Sequence, residues 1–284
     1  MRNTGEMEKK FLRALFVVLF SGILVMPSPA KGSNFIQRLQ NGSIDWTNRI
    51  VEAVAYCRYP EGIEVSRARS LAKTNAIKGA RNNLMSIVLN IPLDGNKLVG
   101  EILKNDPEKL RKLSFFVNKA EMATISFPQN KGVRVTLSLK LSDEVAELIL
   151  PKYIKKIKPI TTVASSSKRP TDSYTGILID CRTIGFRPCL IPRVVNEKGE
   201  EVFGPAYVSR ERVTDEGMVK YVAGPDERIK DLWLGKRVLN IKALRVLKEN
   251  PSVVVLVNSD AELLRGDPAN LSLFRDCKVV FMLD

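Results

Sequence analysis

The stretch SRARSLAKTNAIKGARNNLMSIVLNI, residues 66–91, decides how the first half of this chain folds. Its apolar side chains recur every three or four positions, which places them on one stripe of a long helix. Ser66 stands where an N-cap is expected, and the first half of the stripe is mostly alanine, with Gly79 beside it. Because small side chains let a helix lie close to its neighbour, the pattern predicts a helix packed directly on a sheet.

Strand patterns lie on both sides of this helix. GSIDWTNRIVEAVAYC, residues 42–57, carries apolar groups on both alternating faces and predicts one buried strand. AEMATISFPQNKGVRVTLSLKLS, residues 120–142, predicts a hairpin in which Gly132 is available for the turn. One antiparallel sheet with helices on one face is the expected arrangement. Shorter helices are predicted near residues 97–104, 107–119 and 143–150.

The second half of the chain is richer in strands. The continuous apolar run VVVLV is typical of a strand buried on both faces, and KVVFML predicts another at the end of the chain. Residues 209–222 are predicted to be helical. Further strands are predicted at residues 177–181, 189–195, 201–203, 238–247 and 252–257.

These elements predict an α+β fold with two domains, each an antiparallel or mixed sheet with packed helices, after a cleaved signal peptide. PITTVASSSKRPTDS, residues 159–173, is rich in Pro, Ser and Thr without an apolar period and is interpreted as a linker. The predicted first domain therefore covers residues 35–158, and a mixed α/β C-terminal domain covers residues 174–284.

The N-terminus has the three-part layout of a secretory signal peptide in residues 1–30. A basic start precedes the uncharged run ALFVVLFSGILVM, and Ser28 and Ala30 stand at the small-residue positions of a cleavage site. A membrane anchor is the alternative, but thirteen apolar residues are short for a span of about 20. We therefore expect a cleaved, exported protein that is periplasmic or associated with the outer membrane.

The composition excludes several classes of chemistry. The chain has no histidine, which removes Ser-His-Asp and Cys-His catalysis and every histidine-containing zinc site. Four cysteines remain without a CxxC pair, so no metal site is predicted. No motif singles out one catalytic pair among the 31 acidic residues, so a carboxylate-based hydrolase is the least favoured of the functions considered. No catalytic residue, cofactor or metal ligand is assigned, and a non-enzymatic protein is expected.

The net charge of +14 bears on the partners. Residues 1–30 carry four basic and two acidic groups, so cleavage leaves 14 − 2, or +12. Export makes nucleic acid an unexpected partner, and an anionic envelope polymer or lipid head groups fit the charge better. A merely solvated basic surface is the plainer alternative.

GILIDCRTIGFRPCLIP, residues 176–192, holds the two candidate sites of the second domain. If its two strands pair, Cys181 and Cys189 come within disulfide distance, while two unbridged buried thiols remain the alternative. Arg182, Arg187 and Arg193 are a candidate anion-binding corner. The alternative is that these arginines pair with nearby carboxylates and only fix the turn.

Part of the chain resembles a known family. Trp46 in a strand, the Tyr59–Pro60 turn, the alanine-striped helix and the closing strand VRVTLSLKL together resemble the twenty-kilodalton outer-membrane lipoprotein family, which includes flagellar outer-membrane accessory proteins. The resemblance covers residues 43–142. GILIDCR, TIGFRP, LIPRVV and NEKGEEVFG resemble a C-terminal extension of some exported proteins of this type. The chain lacks the cysteine that those lipoproteins carry at the cleavage site, so no lipid anchor is predicted.

The resemblance implies an envelope-associated, self-associating structural protein without enzymatic activity. We therefore expect a structural or assembly accessory that associates with itself or with other envelope proteins in a larger, for example flagellar, complex. The alternative is a periplasmic binding module for an anionic envelope polymer.

Overall fold

The computed structural model describes residues 33–154, 173–224 and 233–284. The predicted signal peptide and almost all of the predicted linker lie outside the described residues. The protein has an α+β fold with two domains. Both domains belong to one compact unit, Lys31–Asp284.

The N-terminal domain is built on a five-stranded antiparallel sheet. Its strands are β2 (Ile36–Leu39), β3 (Gly42–Asp45), β4 (Ile50–Arg58), β7 (Glu121–Ser126) and β8 (Gly132–Lys140). Their order in the sheet is β2-β3-β4-β8-β7, and β7 and β8 form the predicted hairpin. The prediction of one strand over residues 42–57 is wrong, because the chain turns between Asp45 and Ile50 with Arg49 at a φ of 57°. An alternating apolar pattern continues through such a turn and therefore hides it.

Helix α1 (Val65–Leu89) lies on one face of this sheet, as predicted. The buried residues of its first half are alanines, and Gly79 comes so close to the sheet that a Cβ there would lie 3.1 Å from the Cβ of Ala55. The predicted cap is wrong: Glu64, not Ser66, caps the helix by accepting hydrogen bonds from the backbone N–H groups of Ser66 and Arg67. The buried alanines are Ala68, Ala72, Ala76 and Ala80.

Three shorter helices complete the N-terminal domain, and all three were predicted. Asp106 caps the second of them by accepting a hydrogen bond from Lys109 N at 3.1 Å, with Pro107 in its first turn. The helices are α2 (Val99–Leu103), α3 (Pro107–Asn118) and α4 (Asp143–Ile149), and a small hairpin of β5 (Pro92–Asp94) and β6 (Lys97–Leu98) precedes them.

The C-terminal domain holds two sheets and three helices in the described residues. The strands of the first sheet are β1 (Ser33–Asn34), β9 (Gly176–Asp180), β12 (Lys220–Ala223), β13 (Val238–Lys242) and β16 (Val279–Leu283). The second sheet has β10 (Arg193–Asn196), β11 (Glu201–Phe203), β14 (Arg245–Val246) and β15 (Val253–Leu256). The helices are α5 (Arg210–Glu216), α6 (Asn258–Gly266) and α7 (Pro268–Arg275).

The first C-terminal sheet has the order β1-β12-β16-β9-β13, in which β12, β16, β9 and β13 run parallel to one another and the edge strand β1 is antiparallel to β12. The last strand of the chain is thus central, as its apolar sequence predicted. The second sheet has the order β11-β10-β15-β14. Its β10 and β15 are parallel, whereas the two outer pairs are antiparallel.

Two predictions for this domain are wrong. Residues 209–222 are not one helix, because α5 ends at Gly217, which has a φ of 85°, and β12 follows. Residues 238–247 are not one strand, because β13 and β14 belong to different sheets. The two errors have different origins. The first prediction passed over Gly217, although a glycine with a positive φ commonly ends a helix. The second arose because a change of direction within an apolar segment leaves the hydrophobic pattern almost unchanged.

The two domains share one hydrophobic cluster, which runs from Trp46 and Ile149 to Tyr221 and Phe281. Strand β1 precedes the N-terminal sheet in the chain yet pairs with β12 of the C-terminal sheet. Among the described residues, no helix combines the length and the apolar character that crossing a bilayer requires.

Candidate functional site

Cys181 and Cys189 belong to the C-terminal domain, and both are buried. The argument that their strands pair is wrong, because β9 lies in the first C-terminal sheet and β10 in the second. All four cysteines are free thiols, so the predicted bridge is not formed in this structure. Burial raises the pKa of the Cys189 thiol to about 12 and also raises that of Cys181, which leaves both thiols protonated and unreactive at neutral pH.

The three arginines of the candidate anion-binding corner have separate surroundings. Arg182 forms a bidentate pair with Asp180, with Nε 2.9 Å and the second nitrogen 2.7 Å from the carboxylate oxygens. This pairing lowers the pKa of Asp180. Arg193 pairs with Glu201 through Nε at 2.6 Å, and Arg187 is exposed. Two of the three guanidinium groups are therefore neutralised by carboxylates, which fits the plainer alternative better than an anion site.

Helix α5 is held against the N-terminal domain by Arg210, whose side chain is only 7% exposed. Its Nε lies 3.0 and 3.1 Å from the carboxylate oxygens of Glu147 on α4. Its Nη1 donates to the carbonyl oxygens of Pro151 at 2.7 Å and Ile154 at 3.4 Å, and its Nη2 donates to that of Glu147 at 3.3 Å. One guanidinium group thus fixes α5, α4 and the segment after α4 in a single arrangement.

Arg49 fixes the other end of α5. Its guanidinium group donates to the carbonyl oxygens of Val213 and Thr214, both at 3.3 Å, and to that of Asp215. These carbonyls belong to the last turn of α5, where a cation also interacts favourably with the helix dipole. Burial lowers the pKa of Arg49, although Asp215 opposes that effect. A guanidinium group keeps its charge in proteins, so Arg49 presents a cation to these carbonyls.

A third link between the domains runs through Tyr221 on β12. Its hydroxyl donates to Cys189 O at 2.8 Å, and its backbone carbonyl accepts from Thr47 Oγ1 at 2.6 Å. Its ring meets Trp46 edge-on with the centroids 5.7 Å apart. Beside these residues is a cavity of about 30 Å³, which has room for water but not for an organic ligand.

We call the contact region between the two domains the seam. Outside the seam, an open groove with a volume of about 720 Å³ lies between α3, α4 and α5. We call it the α3–α4–α5 groove. Its apolar lining is Phe115, Phe116 and Leu148, and Phe115 is 52% exposed. An exposed phenylalanine beside further apolar surface is the kind of feature that marks an interaction site. Its polar lining is Lys112, Asp143, Glu144, Glu147 and Thr214.

Charged groups of both signs surround the groove. Three acidic residues and one basic residue line it, and the basic residue, Lys112, is paired with Glu108 at 2.8 Å. Of the acids, Glu147 is engaged by Arg210. The ammonium group of Lys119 lies over the exposed ring of Phe115, 4.4 Å from its centroid. The groove therefore offers an apolar surface with a rim of mixed charge.

Sequence reasoning did not find this groove. Its lining comes from residues 112–116, 143–148 and 214, which three helices and both domains bring together. One local signal was present, since SFFVN places two phenylalanines side by side on a helix that can bury only one of them. Within the described residues, no group of three or more Cys, Asp or Glu side chains is placed to hold a metal ion.

Comparison with known proteins covers the C-terminal domain. Residues 176–284 match a family model described as Treponema pallidum Tp0624, second domain. The matched region begins at β9 and includes α5, which forms one wall of the groove. No curated protein matches the chain. The family match does not reach residues 43–142, and their resemblance to the twenty-kilodalton lipoprotein family stays a prediction.

Proposed function

We propose that this protein is a non-enzymatic structural or assembly accessory of the cell envelope. In this proposal it is exported by its N-terminal segment and acts by associating with copies of itself or with a larger envelope complex. The observation that carries the proposal is the α3–α4–α5 groove, in which Phe115 is 52% exposed beside Phe116 and Leu148. Exposed apolar surface with a charged rim supports association with a protein better than it supports chemistry.

The experiment is light scattering coupled to size exclusion on residues 31–284, at low and at high salt. These residues are the compact unit of the chain. The proposal expects a discrete oligomer under both conditions, because apolar contacts are not screened by salt. A monomer under both conditions would refute self-association and leave a larger complex as the partner to be sought by pull-down.

A second candidate function is binding of an anionic envelope polymer. The observation that favours it is α1, which carries five basic residues and no acidic residue over its 25 positions. This function expects a monomer that is retained on a heparin column and released as the salt concentration rises. A chain that passes through the column at low salt would contradict it.

A further inference from the structure

The N-terminal sheet leaves part of one inner strand without a neighbour. Strand β4 pairs with β8 along residues 50–58, but on its other side β3 reaches only residues 50–53. The turn between β2 and β3 follows, and Val54 N donates to Asn41 O in this turn at 2.8 Å. Beyond that bond, no strand of the described residues lies on this side of β4. We call this side of residues 54–58 the β4 edge.

The β4 edge carries backbone groups that no strand receives. In an antiparallel strand, alternate residues direct their N–H and C=O groups to the same side. Val54 uses both groups on the edge side, since its carbonyl oxygen accepts from Asn83 Nδ2 at 2.8 Å and its N–H donates to Asn41 O. Tyr56, two residues further on, therefore also directs its N–H and C=O away from β8. Such an edge can pair with an extended segment of another chain.

Open space adjoins the β4 edge. A volume of about 840 Å³ is lined by Val54, Tyr56 and the turn between β2 and β3. Helix α1 does not fill it, because α1 lies close on the sheet at Gly79, where an added Cβ would meet only the Cβ of Ala55 within 4 Å. A neighbouring strand lies about 4.8 Å away from an edge. An added strand therefore has room beside Tyr56.

The side chains around the β4 edge differ between the two faces of the sheet. On the face away from α1, Tyr56 lies opposite Arg134 of β8, and Arg38 lines the same open volume. On the face that α1 covers, the lining is apolar and includes Leu39 and Ala55. A strand presents alternate side chains to the two faces of a sheet. The site is therefore matched by a strand of alternating acidic and apolar residues.

The charged groups around the site are mostly positive. Arg38 and Arg134 are exposed, and neither forms an ion pair with a described residue. Arg58 lies on the same face at the end of β4. The opposing charge is Glu52, which accepts a hydrogen bond from Ser43 at 3.5 Å. Pairing with the same edge of a second copy would bring the arginines together, so the charge favours an acidic partner instead.

We propose that the β4 edge binds an extended acidic segment of another protein, which adds to the N-terminal sheet as a further strand. The backbone of the segment pairs with Tyr56, its acidic side chains face Arg38 and Arg134, and its apolar side chains lie beside Leu39 and Ala55. Main-chain pairing of this kind supplies affinity, and the alternate side chains supply specificity. The inference goes beyond the proposed function, because it requires neither the α3–α4–α5 groove nor self-association.

The test follows the Tyr56 amide by NMR in isotope-labelled protein of residues 31–284 at low salt. The probe is a short capped peptide of alternating valine and glutamate, added up to millimolar concentration. A peptide of alternating valine and lysine controls for charge. The valine–glutamate peptide with methylated backbone nitrogens controls for strand pairing, because it keeps the charge and loses the N–H donors.

Two protein variants complete the test. Arg134→Glu reverses one cation of the site, and Arg245→Glu is the matched control at an exposed position of another strand, β14. Arg134→Glu should weaken binding about tenfold, since an attraction becomes a repulsion, and Arg245→Glu should leave it unchanged. Circular dichroism of both variants checks that the fold is retained.

The valine–glutamate peptide should shift the Tyr56 amide resonance and slow the exchange of this amide with solvent, whereas the two control peptides should do neither. An unchanged Tyr56 amide at millimolar peptide would overturn the proposal. Equal binding of the lysine peptide or of the methylated peptide would overturn it as well. Light scattering of the wild type tests self-association separately, so failure of one proposal is distinguished from failure of the other.

Discussion

Arg210 is the residue whose removal should weaken the seam most. Replacement by methionine keeps much of the apolar stem but leaves the buried carbonyl oxygens of Pro151 and Ile154 without their donor. We expect a loss of about 2–3 kcal/mol in the free energy of unfolding, measured by urea denaturation. The matched control is Arg212→Met on the same helix, whose side chain is 52% exposed and pairs with Glu216 only at 3.7 Å. That control should lose less than about 0.5 kcal/mol. Equal losses would contradict the role given to Arg210.

The buried thiols and Tyr221 should make the protein sensitive to alkali. Burial raises the pKa of Cys189 and of Cys277 to about 12 and raises that of Tyr221 well above its usual value. In the unfolded chain these groups ionise near pH 8.5 and pH 10, so at alkaline pH the unfolded state binds fewer protons than the folded state. The free energy of unfolding is therefore highest below about pH 8.5 and falls as the pH rises.

Urea denaturation between about pH 9 and pH 11 checks this expectation. Each group that ionises only on unfolding contributes a fall of about 1.4 kcal/mol per pH unit. The Cys277→Ala variant, compared with its own stability at pH 7, should show a correspondingly smaller fall than the wild type. The same pH dependence in both proteins would show that Cys277 does not contribute.

At the scale of the element, α1 depends on the small size of its buried side chains. Ala76 is 1% exposed and lies in the middle of the alanine stripe against the sheet. A leucine there adds volume that the close contact cannot accept, and we expect a loss of about 1–3 kcal/mol in urea denaturation. Asn75→Leu adds the same side chain one position away at an exposed site and should change the stability little. A stable Ala76→Leu variant would mean that α1 can move away from the sheet.

The elements that sequence reasoning predicted are those in which the local pattern and the tertiary contacts agree. The alanine stripe of α1, the β7–β8 hairpin and the central position of β16 are of this kind. The turn at Arg49 was missed because a change of direction leaves the apolar pattern almost intact. The end of α5 was missed although Gly217 is the kind of residue that commonly ends a helix. The groove was missed for a different reason, since Phe115, Leu148 and Thr214 are distant in the chain and only the packing of α5 on α4 brings them together.

At the scale of the whole molecule, the family match begins at Gly176 and so treats the C-terminal domain as a separate unit, whereas the contacts join it to the rest. The backbone N–H groups of Leu190 and Ile191 donate to the carbonyls of Pro92 and Leu93 at 3.0 and 2.8 Å. Strand β1 pairs with β12, and Thr47 with Tyr221. Unfolding one domain would remove the hydrogen-bond partners of these groups in the other domain. We therefore expect both domains to unfold in one transition.

The two tryptophans allow this expectation to be measured, because Trp46 lies in the N-terminal domain and Trp233 in the C-terminal domain. In a Trp233→Phe variant the fluorescence comes from Trp46, whose ring contacts Tyr221 at the seam, and in a Trp46→Phe variant it comes from Trp233 in the C-terminal domain. In each variant the urea midpoint from fluorescence should coincide with the midpoint from far-ultraviolet circular dichroism. Separate midpoints would show that the domains are independent. A single transition would mean that a change at the seam, such as Arg210→Met, lowers the stability of both domains together, including the three helices that line the α3–α4–α5 groove.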